Sequence, residues 1–193
     1  AWLHDCGKIT TPEHVVDKST KLETIFDKVN LVDVRYEILK RDAVITALKA
    51  IIEENQDCND IDKELKNNIS LQNKLKELDS EKKKIEKYNI GGEFLDDADL
   101  KRIKEIAKRT YKNSAGKSVN LLDKEEIENL QISRGTLNTK ERQIINNHVS
   151  VTIKMLESLP YPKHLKNVPE FAGCHHEKMD GTGYPNKLKG NQM

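Results

Sequence analysis

The chain has 193 residues, 34% charged and 36% hydrophobic, with a formal net charge of +1. This balance favours long exposed helices over a compact globule, and the small net charge excludes a global field for a nucleic-acid polymer or an anionic membrane. No apolar run approaches the roughly 20 residues that span a bilayer, no signal-peptide pattern is read at the start, and three widely spaced cysteines fit a reducing cytoplasm better than a disulfide framework.

The length suits one domain, or one domain carrying an insertion. Residues 1–17 read as a helix end, a turn at Gly7 and a short segment past Pro12, with Leu3 and Ile9 as core contacts and Val15 and Val16 beside them. Thr20-Lys21-Leu22-Glu23 has capping-box form and predicts a helix start. Leu22, Ile25, Val29, Val32, Tyr36, Leu39 and Ala43 then alternate three and four apart, a heptad seam. The register misses at Thr46 and resumes at Ala50, with Ala47 and Ile51 flanking it.

Asn59 or Asp60 can cap a second helix. It carries Ile61, Leu65, Ile69, Leu71, Leu75, Leu78 and Ile85, and stops near Asn89 at Gly91-Gly92. Neither helix buries its stripe alone, so an antiparallel hairpin over about 20–90 is expected, each arm about 45–50 Å long.

Further helices are expected over about 98–111, and from a cap at Asp123-Lys124-Glu125-Glu126 to about Leu130. Asn113 to Lys117 reads as a loop. A helix capped at Thr139 should run to about Ser158, with Ile144, Ile145, His148, Val151, Thr152 and Met155 on one face and Pro160 and Pro162 ending it. The last helix starts at Val168-Pro169 and carries Phe171, Ala172, His175 and His176. No strand with clear alternation is read, so the expected class is all-α.

Two polar clusters carry the chemistry. His175 to Pro185 reads HHEKMDGTGYP, and His4 to Lys8 reads HDCGK. Imidazole and carboxylate are the ligand set for Zn, Fe, Mn or Ni. Gly181 and Gly183 permit a tight backbone path, which Pro185 stiffens. Each residue also has a structural reading. His4 would serve as a helix-end cation, Asp5 as a cap, Lys8 as a solvated charge, His148 as a core histidine and Tyr184 as a surface aromatic. Adjacent histidines on a helix point about 100° apart, so one ion cannot easily take both, whereas two ions can.

HDCGK resembles the HDxGK motif of the HD phosphohydrolases, and HHEKMDGTGYP resembles the HHExxDGxGYP signature of the HD-GYP family at every defined position. Gly135-Thr136-Leu137, Glu141, Ile144-Ile145 and His148 resemble that family's GxLTxEExxIIxxH segment, with Asn138 where threonine is usual and Lys140 where the first glutamate is usual. The resemblance covers about 1–17 and 135–193. It implies a partial HD-type helical bundle over those residues, with 18–134 as an inserted helical region.

By position, the resemblance implies that His4, Asp5, His148, His175 and His176 bind two or more divalent ions, Fe or Mn ahead of Zn or Ni. Asp5 would bridge the ions, and Lys8 would neutralise a substrate phosphate oxygen. Gly181, Gly183, Tyr184 and Pro185 would form a loop for substrate or a partner. Glu177 and Asp180 fit supporting, turn-fixing roles.

The implied activity is metal-dependent phosphodiester hydrolysis of a cyclic dinucleotide such as cyclic di-GMP, giving pGpG or GMP. The alternative is a signalling scaffold that uses the arm to dimerise or to bind a sensor or cyclase partner. With motifs at both ends, the chain is expected to be a piece of a longer protein, poorly active by itself. In the family a further histidine precedes the His-Asp pair, and an aspartate follows the Gly-Tyr-Pro loop.

Overall fold

A computed structural model describes residues 2–54 and 60–192. In chain order these form a 3₁₀ turn at Cys6–Thr10, then α1 (Glu13–Val16), α2 (Val29–Glu54), α3 (Ile61–Asn67), α4 (Ile69–Asn89) and α5 (Asp97–Ile106). Strands β1 (Thr110–Lys112) and β2 (Ser118–Asn120) follow, then α6 (Lys124–Leu130), α7 (Thr139–Asn146), α8 (His148–Glu157) and α9 (Val168–Gly173). The mostly helical class is as expected. The correction is a two-stranded antiparallel hairpin that pairs Tyr111 with Val119, where Tyr111 was expected to end a helix. Asn113 closes its loop by accepting from the amides of Ala115 and Lys117.

The chain divides into two compact units, 1–18 with 137–193, and 19–136. In the second, α2 and α4 are antiparallel: Asp33 pairs with Lys82, and Lys40, further along α2, pairs with Asp79, earlier on α4. Val32 and Tyr36 from α2 share a core with Leu78, Ile85 and Tyr88 from α4, Ile103 and Ile106 from α5, and Leu121, Leu122 and Leu130. Leu71, Leu78 and Ile85, seven apart, are the buried seam of α4. Ile61 and Ile69, expected on that seam, are exposed. At the far end of α2, Ile51 is buried and Ala50 exposed.

Three departures have local causes. The Thr20 capping box starts no helix. Glu23 does accept from the Ser19 and Thr20 amides, but Asn89 takes the next donors, its backbone carbonyl binding Lys21 N and its side chain binding Leu22 N. Residues 20–28 therefore loop, Ile25 is solvent-exposed, and α2 begins two residues after Asp27, whose carboxylate accepts from Val29 N. The second arm breaks at Asn68, which leaves helical geometry at ψ 94° and caps α4 by accepting from Leu71 N. With 26 and 21 residues, α2 and α4 run to about 39 and 31 Å, shorter than expected. Asn59, a candidate cap, lies outside the described residues.

In the first unit the chain start packs on α8, and α8 packs on α9. Leu3 and Ile9 are exposed, contrary to expectation, as is Val16, while Val15 is buried. The contact is made instead by Gly7, which is buried and donates from its amide to Thr152 Oγ1 at 2.9 Å. A Cβ at Gly7 would lie 2.1 Å from the His148 carbonyl oxygen, so only glycine lets the turn sit this close. Helix α7 is capped by Asn138 rather than Thr139, in a full capping box with Glu141. The hydrogen bonds Asn147 N to Gln143 O and Val151 N to Asn147 O run through the α7–α8 joint, so the path is close to the single helix expected. Its buried face is His148, Val149, Thr152 and Leu156; Ile144 and Met155 face solvent.

Candidate metal centre

Each candidate ligand reaches the site by a separate local device. Asp5 immediately precedes the Cys6–Thr10 turn, and the Gly7 contact docks that turn on α8. His148 opens α8 and is buried. Helix α9 ends at Gly173, so His175 and His176 stand in the turn after it and not on the helix as expected. That turn sets the two rings side by side, centroids 4.1 Å apart, which removes the splay a helix would impose.

Asp5, His148, His175 and His176 each offer a ligand atom within 4.8 Å of every other. Asp5 Oδ1 is 3.1 Å from His148 Nε2 and 3.4 Å from His175 Nε2. Two ligands held about 2.1 Å from one ion at a tetrahedral angle stand about 3.4 Å apart, so the spacing fits. The hydrogen-bond inventory fits as well. His148 Nδ1 meets the Ile145 carbonyl, and His175 Nδ1 meets the Ala172 carbonyl at 2.5 Å. A carbonyl only accepts, so these contacts place the proton on Nδ1 and leave Nε2 as a lone pair. Asp5 Oδ1 and His148 Nε2 are then buried and facing, with no hydrogen-bond partner among the described residues. Two buried lone pairs turned on each other are costly unless a cation lies between them.

His4 lies beside this set: its Nε2 is 3.4 Å from Asp5 Oδ2, and its ring is 4.9 Å from that of His175. Lys8 Nζ donates to Asp5 Oδ2 at 2.8 Å. Burial works against ionisation of Asp5, but the hydrogen bond from Lys8 and its charge hold the carboxyl below its ordinary range. Burial and the neighbouring imidazoles push His176 below its usual value, which favours the neutral form that a cation could bind.

The 175–185 loop supports the centre. Glu177, buried, accepts from the amides of Asn186, Lys187 and Leu188 at 2.6, 3.1 and 2.9 Å and fixes the far side of the loop. Asp180 accepts from Thr182 N and Oγ1 in an exposed turn. Gly183 packs on backbone, since a Cβ there would meet Glu177 Cα and Lys178 N at 2.5 Å. Gly181, with φ +76°, begins the return. Tyr184 stacks on the His176 ring at 4.7 Å and donates from its amide to His176 O, and a cis bond leads into Pro185.

Thr152 and the Lys18–Glu141 pair were not anticipated as site residues. Glu141 caps α7 and also accepts Lys18 Nζ at 2.8 and 2.9 Å, with the lysine side chain buried. The signal for Thr152 was its place four residues after His148 on the same helix face. For Lys18 no sequence signal existed.

Residues 125–193 match the HD domain family. The chain is 37% identical over 60 residues to 3′3′-cGAMP-specific phosphodiesterase 3 of Vibrio cholerae, covering 31% of this chain and 12% of the relative. It is 36% identical over 59 residues to 3′3′-cGAMP-specific phosphodiesterase 2 of the same organism, covering 31% and 11%. The chain thus spans about an eighth of the length of these relatives. No solved structure matches it. Among the described residues no helix is long and apolar enough to cross a membrane. The region that matches the HD domain family supplies His148, His175 and His176 to the cluster that Asp5 joins, and its His175-to-Pro185 motif resembles the HD-GYP signature.

Proposed function

We propose that this HD domain hydrolyses a 3′,5′-phosphodiester bond of a cyclic dinucleotide, with divalent ions held by Asp5, His148, His175 and His176. The observation that carries the reading is the pair of buried, partnerless lone pairs on Asp5 Oδ1 and His148 Nε2. When bound, the ions would polarise the phosphoryl group and supply hydroxide at neutral pH.

The protein's part is positional. The Ile145 and Ala172 carbonyls hold His148 and His175 in the tautomer that presents Nε2. Lys8 keeps Asp5 ionised through Oδ2, leaving Oδ1 for the ions, and stands ready to turn toward an incoming phosphate. Tyr184, stacked on His176, blocks one side of that ring and limits its rotation. His4, next to Asp5, completes the set as a further ligand or as a donor to the phosphate. Asp5, His148, His175 and His176 would hold two divalent ions, and a cluster with this many imidazoles suits Fe or Mn.

The relatives' names specify 3′3′-cGAMP, and the Gly-Tyr-Pro motif resembles that of cyclic di-GMP hydrolases. Both substrates are cyclic dinucleotides closed by the same linkage, so the class follows from either, and a linear dinucleotide such as pGpG, or GMP, would be the product. Residues 18–134 then form an insertion between the two parts of the catalytic unit. A scaffold role without catalysis would leave the partnerless Asp5 and His148 atoms unexplained. The test is hydrolysis of 3′3′-cGAMP and cyclic di-GMP by the metal-loaded full-length protein, extended beyond both ends of this chain, with Mn or Fe, against His175→Ala. Turnover lost in the variant supports the reading. No turnover of either nucleotide in a protein that carries its metal would sink it.

A further inference from the structure

Helix α2 is apolar on two sides. One side packs on α4 through Val32 and Tyr36. The other carries Leu31, Val34, Ile38, Ile45, Leu48 and Ile52, with Arg41 in the one remaining slot. These positions alternate three and four apart through three heptads, the spacing of a coiled-coil seam. This seam is not buried: Leu31, Val34, Ile45 and Ile52 are 42, 58, 48 and 57% exposed. Soluble monomers rarely leave a continuous apolar stripe of this length open to water. From Leu31 to Ile52 it runs about 32 Å.

We propose that this face is a self-association surface, on which α2 of a second copy of the chain lies antiparallel. Charge selects the occupant and its direction. In a parallel pair, Arg41 would meet Arg41 of the second copy inside the seam, and Glu37 would flank Asp42, so both contacts are repulsive. In an antiparallel pair, the first and fourth heptad positions face each other. Leu31 meets Leu48 of the second copy, Val34 meets Ile45, and Arg41 lies over Ile38 with Glu37 of the second copy at its side. The symmetry makes each contact twice, so one arginine per chain sets direction and register at a cost in stability, as a single polar residue does in other coiled coils. Arg35 and Lys40, on the same helix, are engaged with Glu126 and with Glu37 and Asp79, whereas Lys49 lies outside the seam. Arg41 has no such partner among the ion pairs of the described residues, and the antiparallel arrangement gives it one.

Sedimentation equilibrium of the full chain tests this. The wild type should distribute between 22.1 kDa and twice that mass, with the dimer favoured as concentration rises. Ile45→Lys alters both chains at once and should raise the dimer dissociation constant at least about 100-fold, with far-UV circular dichroism unchanged because the side chain is solvent-exposed. Ile25→Lys, an exposed apolar residue off the helix, should leave association untouched. Arg41→Glu should weaken the dimer, and Arg41→Glu with Glu37→Arg should restore it. A wild type that stays monomeric into the high micromolar range overturns the proposal, as does a dimer indifferent to Ile45→Lys. A dimer that is unaffected or tightened by Arg41→Glu overturns the antiparallel arrangement.

Discussion

Gly7→Ala is a one-carbon change at a residue that offers no ligand atom, yet it should weaken the candidate metal centre. The new methyl would stand 2.1 Å from the His148 carbonyl oxygen and 2.7 Å from both Thr152 N and Thr152 Oγ1. Two of those three atoms are backbone of α8, so the helix cannot yield by a rotamer change and the Cys6–Thr10 turn must lift. Overpacking of this kind costs about 1–3 kcal/mol, and loss of the Gly7 N to Thr152 Oγ1 bond adds about 1 kcal/mol, so the docking weakens by about 2–4 kcal/mol. Hydrogen exchange followed over residues 148–157 should then run about 30- to 1,000-fold faster where local opening governs it. The turn also carries Asp5, so the Mn²⁺ titration should shift to weaker binding in the same variant. Thr152→Val separates the two contributions, because it removes the hydroxyl, leaves the Gly7 amide unpaired, and adds no clash. Wild-type protection in α8 together with an unchanged Mn²⁺ titration in Gly7→Ala would refute this account of how the His-Asp turn is held.

Other expectations are more direct. His148→Ala should cost far more metal affinity than His4→Ala, on the order of 100-fold against 10-fold, because His4 flanks the four-atom cluster; calorimetric titration with Mn²⁺ decides it, and equal losses would place His4 within the inner set. Glu177→Gln keeps the shape but removes the charge that gathers three loop amides, and should loosen the loop by about 1.5–3 kcal/mol, read as faster amide exchange confined to residues 186–188. Lys21 is fully buried and donates to the Leu130 carbonyl, and burial, partly opposed by the charge of Asp99, pushes its pKa down to about 8. The unfolded chain then binds the extra proton above pH 8, so stability should rise with pH, by about 2 kcal/mol between pH 7 and 9.5. Urea unfolding monitored on the 19–136 unit should show that slope, and Lys21→Met should flatten it while raising stability at pH 7.

Local chemistry was the part of the fold that sequence spoke to most directly. The Asp123 box nucleates α6 because both of its hydrogen bonds are local, and Gly91, at φ +71°, ends the α4 region as its type suggests. Thr20-Lys21-Leu22-Glu23 has the same form and fails, because Asn89, distant in sequence, takes the Lys21 and Leu22 amides that a helix would have used. Strands of three residues are too short for alternation to show, so Thr110–Lys112 and Ser118–Asn120 were hidden among helical segments. Leu3 and Ile9 were expected inside on hydropathy alone, whereas the turn between them docks through a glycine backbone and a threonine hydroxyl. The candidate site was legible in the identity of its residues and illegible in how they are held. No spacing rule announces that Lys18 will bury its ammonium on Glu141, or that Glu177 will collect amides nine to eleven residues on.

The same contrast bears on α2. A heptad search fits the stripe that faces α4 and stops there, since one buried face accounts for a helix. Yet with apolar residues on two faces its hydrophobic signal cancels around the helix circumference, and a moment-based reading makes α2 look less amphipathic than α4. Exposure resolves what periodicity cannot. Val32 and Tyr36 are wholly buried while Val34 and Ile45, equally apolar and equally well spaced, lie open to water. Propensity does not require that difference, because leucine, glutamate or lysine would serve as well or better at an exposed helical position. A β-branched residue at Val34, Ile38 and Ile45 favours neither solubility nor helicity, and the proposed second helix gives those residues something to pack against.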